Sequence, residues 1–187
     1  NDETGCMHGD VITNGCITGR CAHRNPNMGQ VPAGYSDYGK ECRGLFHAPE
    51  GWTLIGVDAK ALELRCLAGY LAHWDNGEYA RVDPNEKDEI VLRNLGSAAI
   101  NSFMKGIPAL KKLKDKIANN IAARGYLIGL DGRPLFCRSD FKGLNVLLQS
   151  SGALIMKQVV IELHKKMYDL GYIYGHDWQQ HAMVHDE

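Results

Sequence analysis

The pattern of apolar and polar positions divides the first half of the chain into two strand-like regions and one helix. Residues 10–32 are rich in Gly, Asn, Thr and Pro, which predicts short strands joined by turns. Residues 53–57 form an apolar, β-prone run that predicts a buried strand. Between residues 61 and 74, leucine and alanine recur at helical spacing, so we expect a helix there.

Stronger local signals mark the second half of the chain. A proline in a first-turn position predicts a helix over residues 108–124. An Asp-Gly pair predicts the turn of a hairpin over residues 126–138. A long helix is expected over residues 141–169, stopping at Gly171. A final strand is expected over residues 180–187.

The predicted long helix has an apolar face and a polar face. The apolar stripe, which would pack on a sheet, consists of Leu144, Leu148, Ile155, Val159 and Leu163. The polar stripe carries Lys142, Asn145 and Gln149. A polar stripe of this kind is either a solvent face or a row of hydrogen-bond donors laid along the DNA minor groove. In that groove every base pair offers acceptors at nearly the same place.

Length and composition indicate an ordinary globular chain. A sequence of 187 residues supports one domain, and 44% hydrophobic residues is a usual fraction. No apolar run approaches the ~18 residues needed to span a bilayer, and the first residues lack a signal-peptide pattern. We therefore expect a cytoplasmic protein without a membrane partner.

The cysteines leave one alternative open. All six are interpreted as reduced thiols, because no secretory signal precedes them. Five cysteine and histidine residues nevertheless cluster near the N-terminus, namely Cys6, His8, Cys16, Cys21 and His23. A zinc-binding interaction module is therefore conceivable, although a Cys-x-His pair is tighter than the usual ligand spacing.

Charge is unevenly distributed along the chain. The formal net charge is −1, which by itself argues against nucleic-acid binding. Residues 105–142, however, contain nine Lys or Arg and only three Asp, so the local charge is +6. This basic sector is either a footprint for a phosphate backbone or, around the lysines of 111–116, a solvated helix face.

Two acidic motifs each follow an apolar stretch. Asp58 comes directly after residues 53–57, and Asp186 follows the apolar residues 182–184. Carboxylates at the ends of neighbouring strands can hold divalent metal ions between them, and two such ions suit in-line phosphoryl transfer. The alternative for the second motif is a hairpin turn, since turns favour such residues.

These motifs resemble those of the family A (Pol I-type) DNA polymerases. Residues 58–65 (Asp-Ala-Lys-Ala-Leu-Glu-Leu-Arg) resemble motif A, and residues 184–187 (Val-His-Asp-Glu) resemble motif C. Three further blocks are similar to family segments in the same order, at 18–32, 129–133 and 144–153. Residues 62–68 and 75–80 are most similar to the bacteriophage replicative branch.

The resemblance implies a polymerase palm over residues 1–187, of α+β class. An antiparallel sheet would pack on long helices and carry part of the fingers base. The implied activity is template-directed DNA synthesis with two Mg²⁺ ions, primer-template DNA and deoxynucleoside triphosphates. Processivity or replisome partners are conceivable through segments absent here. The expected location is the cytoplasm, that of a bacterial host if the chain is phage-encoded.

The resemblance also implies the residues of the site. Asp58, Asp186 and the carbonyl of Ala59 would ligate the metal ions. Glu187 would lie near the primer end, its alternative being a structural salt bridge. Glu63 would be a steric gate against ribonucleotides, its alternative being a first-turn glutamate favoured by the helix dipole. Contacts to DNA are implied for Arg20, Gln30, Asn145, Gln149 and His185, with a packed strand residue as the alternative for His185.

One family segment has no counterpart that we recognise. The fingers helix, motif B, has the pattern Arg-x-x-x-Lys followed by Tyr-Gly, and it should lie before the helix at 108–124. An acidic loop at 83–89 and a short predicted helix at 97–104 stand there instead, so residues 80–107 form a shortened region. Thumb and exonuclease sequences are also not found. A catalytically incompetent DNA-binding fragment or remnant is therefore an alternative to an active polymerase.

Overall fold

The computed structural model describes residues 5–77 and 107–184. They form two compact units, one from residues up to Ala59 together with those from Ile161 on, the other from Lys60 to Val160. These residues combine helices with two small antiparallel sheets, so the α+β class is confirmed. The short helix expected at 97–104 and the acidic loop at 83–89 lie outside the described residues.

The first unit begins with a small hairpin. Strand β1 (Asp10–Ile12) pairs antiparallel with β2 (Ala22–Arg24), with Val11 opposite His23. These are the short strands and turns that the Gly- and Asn-rich sequence predicts. A 3₁₀ turn (Met28–Gln30) follows, and the Asn27 side chain caps it by accepting from the Gly29 amide at 3.1 Å. A six-residue helix, α1 (Gly39–Gly44), comes next and was not predicted.

The described part of the second unit consists of three helices and a hairpin. Helix α2 (Leu62–Asp75) and helix α3 (Pro108–Arg124) confirm the predicted helices, and α3 has its proline in the first turn. Strands β3 (Tyr126–Ile128) and β4 (Pro134–Phe136) form the predicted antiparallel hairpin. Helix α4 (Asp140–Asp169) is the predicted long helix, and its last residues belong to the first unit.

The core of the second unit lies where α2, α3 and the hairpin pack against the N-terminal half of α4. The buried apolar side chains are Leu62, Cys66, Leu67, Leu71, Ala109, Leu110, Leu113, Ile117, Leu127, Leu135, Leu147, Leu148, Ala153 and Met156. Burying a leucine contributes about 1.5–3 kcal/mol, so this cluster is the main stabilising feature of the unit. At Gly143 an added Cβ would lie 2.6 Å from both Ile117 Cγ2 and Ile121 Cδ1, which shows how closely α4 approaches α3.

A ring cluster anchors the segment that follows α4 in the first unit. His164 lies 4.6 Å from Trp178 and 5.4 Å from Tyr174, measured between ring centroids. The turn between the two aromatic residues is closed by the Gly175 amide, which donates to the Trp178 carbonyl at 2.8 Å. The Asp177 carboxylate accepts from the Ile173 amide at 2.7 Å, and this bond holds the pKa of Asp177 below its usual value.

Two predicted strands are not found among the described residues. Residues 53–57 have no regular structure and are exposed, with Leu54 57%, Ile55 78% and Val57 72% exposed. The described part of the predicted final strand, residues 180–184, is also not a strand. A strand exists only when another strand pairs with it, and in the described parts of the chain neither segment has such a partner.

The buried face of α4 differs from the predicted apolar stripe. Leu148 is buried, but Ile155, Val159 and Leu163 are 40–50% exposed. The buried set is instead Gly143, Leu147, Leu148, Ser150, Ser151, Gly152, Ala153 and Met156. Small residues dominate this set because α2, α3 and the hairpin come close to the helix axis there.

Helix α4 is also the one described helix that is long and apolar enough to cross a membrane, judged by length and composition alone. The observation is weak, because the core helix of a soluble protein passes the same test. A third of the relevant stretch is buried within the protein.

Candidate functional site

Asp58, the candidate metal ligand of motif A, lies in the exposed segment that leads to α2. Within the described residues its carboxylate has no hydrogen-bond or ion-pair partner. Ala59 follows it and is half-buried. A carboxylate and an adjacent backbone carbonyl are hard oxygen donors of the kind that Mg²⁺ prefers, so these two residues fit the implied ion.

The turn into α2 is held by Arg65. Ala61 has the left-handed conformation, with φ 54° and ψ 35°, and ends the turn just before the helix. The Arg65 amide donates to the Ala61 carbonyl at 3.0 Å, and its Nε donates to the Lys60 carbonyl at 3.0 Å. Arg65 thus braces the chain at the start of α2 through its bond to a backbone carbonyl.

Glu63, the candidate sugar gate, lies half-buried in the first turn of α2. Its negative charge acts on Cys66, which lies one turn further along α2. Burial raises the pKa of the Cys66 thiol, and the negative charge of Glu63 raises it further. A carboxylate in the first turn also interacts favourably with the helix dipole, so the alternative structural reading of Glu63 remains compatible with its position.

The first turn of α2 packs on α4 beside Gln149. Leu62, the residue before Glu63, is buried, and its Cδ2 lies 3.1 Å from the position that a Cβ on Gly152 would occupy. Gly152 lies three residues after Gln149, which places both on one side of α4. The helix start that carries Glu63 therefore contacts α4 three residues after Gln149.

A second contact between α2 and α4 is polar. The Tyr70 hydroxyl lies 2.8 Å from Ser151 Oγ, and Ser151 Oγ donates to the Leu147 carbonyl at 2.8 Å. Since the serine proton is used for Leu147, the tyrosine hydroxyl is the donor to Ser151. Burial raises the pKa of the Tyr70 hydroxyl.

The hairpin is tied to the same stretch of α4. Arg133 in the hairpin donates through a terminal guanidinium nitrogen to Ser150 Oγ at 3.4 Å, and its Nε lies 3.0 Å from the Asp131 carboxylate. Ser150 and Ser151 have 0% and 1% of their surface exposed. Both serines are thus engaged directly after Gln149, while Asn145, one turn earlier, is exposed and Gln149 is half-buried.

The sequence did not identify four of the residues in these contacts, which are Tyr70, Arg133, Ser151 and Gly152. The available signal was the run of small residues from Ser150 to Ala153, which in a helix indicates a close approach of neighbouring elements. In the sequence this run is part of a block that is similar to a family segment.

Arg20 and Gln30 both belong to the first unit. Arg20 is half-buried and closes a turn in which the Cys16 amide donates to the Arg20 carbonyl at 3.3 Å. Gly19 occupies that turn with φ +80°, a conformation that suits glycine. Gln30 is the exposed last residue of the 3₁₀ turn.

The end of the described chain lies against the β1–β2 hairpin region. The Met183 carbonyl is 3.0 Å from His23 Nε2, which makes the ring nitrogen the donor. Val184 Cγ1 is 3.7 Å from the position of a Cβ on Gly29, the residue before Gln30. The residues that lead into motif C therefore lie beside the block that carries Arg20 and Gln30. His185, Asp186 and Glu187 lie outside the described residues.

The zinc alternative has no support in the structure. All five cysteine and histidine residues of that cluster are described, and in the described ranges no three His, Cys, Asp or Glu side chains are grouped so as to hold a metal ion. The finding does not bear on the proposed magnesium site, because one of its two carboxylates belongs to Asp186, which lies outside the described residues.

The family model described as DNA polymerase family A matches residues 1–73. The DNA-directed DNA polymerase of Escherichia phage T7 is 32% identical over 244 residues, which span 99% of this chain and 35% of that enzyme. The DNA polymerase I of Chloroflexus aurantiacus is 22% identical, over 91% of this chain and 24% of that enzyme. The chain thus spans about a third or less of the length of these relatives.

The alignment with the phage T7 enzyme is longer than this chain. It is 244 residues long and this chain has 187, so at least 57 positions of that enzyme have no counterpart here. This is consistent with the fingers segment that the motifs lack.

A solved structure shares the fold. The Pol domain of Pol1 from M. smegmatis, solved in complex with DNA primer-template and dNTP, superposes with a TM-score of 0.67. The match covers 91% of this chain and 39% of that one, at 16% identity. Motif order, sequence similarity along nearly the whole chain and fold agree, and this chain belongs to the family A DNA polymerases.

Proposed function

We propose that this chain is the palm part of a DNA polymerase and adds deoxynucleoside monophosphates to a primer 3′ end as a template directs. The observation that carries the proposal is the 32% identity to the phage T7 DNA-directed DNA polymerase over 99% of this chain. The proposed partners are primer-template DNA and deoxynucleoside triphosphates, and the proposed location is the cytoplasm.

Asp58, Asp186 and the Ala59 carbonyl form the proposed site for two Mg²⁺ ions. When bound, the ions lower the pKa of the primer 3′-hydroxyl and stabilise the pyrophosphate that leaves. Asp58 supports the assignment because its carboxylate is exposed and has no partner among the described residues. Glu187 directly follows Asp186 and is proposed to act near the primer end.

The other proposed site residues would bind the nucleotide or the primer-template. Glu63 would fill the space that a ribose 2′-hydroxyl needs, and its place on a packed helix supports a fixed position. Asn145 and Gln149 would donate to minor-groove acceptors and so test the shape of base pairs without reading sequence. Arg20, Gln30 and His185 would face the primer-template, and the contact of Met183 with His23 supports bringing their segments together.

A second candidate is DNA binding without catalysis. At least 57 positions of the T7 enzyme have no counterpart here, and no motif B was recognised. The basic residues of motif B grip the triphosphate in the family. Without them, electrostatic stabilisation of the reacting phosphates would fall steeply. Duplex binding through the exposed lysines of α3 and the polar face of α4 could persist.

Single-nucleotide addition to a labelled primer-template in Mg²⁺ separates the two candidates. Addition by the 187-residue chain that is abolished by Asp186→Asn supports the polymerase. Duplex binding with no addition, equal in the wild type and in Asp186→Asn, supports the binding candidate. Absence of both activities would reject both.

A further inference from the structure

The contact between Leu62 and Gly152 sets how far the start of α2 lies from α4. A Cβ at position 152 would be 3.1 Å from Leu62 Cδ2 and 3.4 Å from its Cγ. Contacts this short require the neighbour to move by a few tenths of an ångström. A side chain added at this position therefore requires Leu62, and with it the start of α2, to shift.

The Tyr70–Ser151 hydrogen bond fixes the same pair of helices two turns further along α2. The hydroxyl oxygens are 2.8 Å apart, and Ser151 is fully buried. The two contacts lie two turns apart on α2 and at adjacent residues of α4, so together they restrain the tilt of α2 on α4. The position of the first turn of α2 is thereby determined by residues on α4 that directly follow Gln149.

We propose that Gly152 and Leu62 are positioning residues, which set the distance of Glu63 from the nucleotide sugar by packing α2 on α4. Neither touches substrate. The inference rests on the proposed function, because it assigns them to the sugar gate of that reaction. It also implies that one helix, α4, supports both the check of the base pair at Gln149 and the selection of the sugar at Glu63.

Gly143 provides a matched control on the same helix. An added Cβ there would be 2.6 Å from side chains of Ile117 and Ile121, which belong to α3 and not to α2. Gly143→Ala therefore introduces a methyl group that is at least as crowded, without displacing Leu62. If Gly152→Ala lowered sugar discrimination only by destabilising the protein, Gly143→Ala should lower it as well. If it acts through the position of Glu63, Gly143→Ala should leave sugar discrimination unchanged.

The test compares wild type, Gly152→Ala, Gly143→Ala and the double variant Gly152→Ala/Leu62→Val. Valine lacks the Cδ atoms of leucine, so it makes room for the added methyl group. Amide hydrogen exchange at Arg65 and Cys66 reports the first hydrogen-bonded turn of α2, since the Arg65 amide donates to Ala61. Single-nucleotide addition with deoxy- and ribonucleotides gives the sugar discrimination.

Gly152→Ala is expected to speed exchange at these two amides and to lower sugar discrimination by about three- to tenfold, given that a 1 Å misplacement can cost ~100-fold. Leu62→Val should restore both, and Gly143→Ala should leave discrimination unchanged.

Unchanged exchange in Gly152→Ala overturns the packing role, whether or not the chain is active. Faster exchange with unchanged discrimination overturns the link to the gate. A wild-type chain that adds neither nucleotide refutes the proposed function, and the exchange data alone then decide the packing role. A change in discrimination of the same size in Gly143→Ala would also overturn the inference.

Discussion

Replacing Tyr70 by phenylalanine tests the polar contact between α2 and α4. The substitution removes one hydroxyl and leaves the ring, so the packing around it is preserved. Because Ser151 still donates to the Leu147 carbonyl, no buried donor is left without a partner. The expected loss is that of one neutral hydrogen bond, about 0.5–1.5 kcal/mol of the free energy of unfolding.

Ser151→Ala should cost more, because it removes both hydrogen bonds of a fully buried hydroxyl and leaves the tyrosine donor unpaired. We expect a loss of about 1–3 kcal/mol. The double variant should lose less than the two single variants together, by a coupling energy of roughly 0.5–1.5 kcal/mol. A pair that does not interact would show additive losses.

Urea unfolding at neutral pH, monitored by far-ultraviolet circular dichroism, measures these differences in the free energy of unfolding. The comparison requires that the slope of this free energy against urea concentration be the same in all variants. Tyr168→Phe serves as the control, because this tyrosine also loses only a hydroxyl but is 82% exposed on α4. It should change stability by less than about 0.5 kcal/mol. Equal losses for Tyr70→Phe and Tyr168→Phe, or strict additivity of the Tyr70 and Ser151 variants, would refute the reasoning.

The remaining predictions concern the gate, the minor-groove face and the pH dependence. Glu63→Ala should increase ribonucleotide incorporation without raising the deoxynucleotide rate; unchanged sugar selection would remove the gate assignment. Asn145→Ala or Gln149→Ala should slow extension from matched and mismatched primer ends to different degrees, and equal effects would count against minor-groove contact. The pKa of the Cys66 thiol is raised in the folded state above its usual value, by burial first and by the Glu63 charge second. Its contribution to stability is therefore complete below about pH 9 and is lost as the pH rises through the folded pKa. In urea unfolding, Cys66→Ala should reduce the loss of unfolding free energy at alkaline pH. A pH dependence of stability identical to that of the wild type would contradict this prediction.

The elements that were predicted correctly are those with local signals. Helix α3 begins at a proline and ends at Gly125, which has φ +77°, and the β3–β4 hairpin turns at an Asp-Gly pair. Each of these signals acts within a few residues of its own position in the chain. Helix α2 was found from its apolar period alone.

The errors arise where structure depends on distant partners. Residues 53–57 have the composition of a buried strand, but composition does not supply a pairing strand. The buried face of α4 was misassigned because it is set by what packs on it, and glycine and serine there permit close approach. Helix α1 was missed because its six residues show no periodic pattern and its N-cap, Tyr38, makes no side-chain cap bond.

The candidate site shows the same division. Family motifs indicated Asp58, Glu63 and Gln149, because they are readable in sequence order. The contact that places the start of α2 against α4 joins Leu62 and Gly152, which lie 90 positions apart, and no local pattern reports such a pair. Whether Asp58 and Asp186 share metal ions stays a prediction.

Iron-mediated cleavage of the backbone tests that prediction most directly. Fe²⁺ with ascorbate, replacing Mg²⁺ on the 187-residue chain, generates radicals that cut the chain next to bound metal. We predict cuts near both residue 58 and residue 186, both suppressed by excess Mg²⁺, and loss of the cut near 58 in Asp186→Asn. Cleavage near one position only, or a cut near 58 that persists in Asp186→Asn, would contradict a shared site.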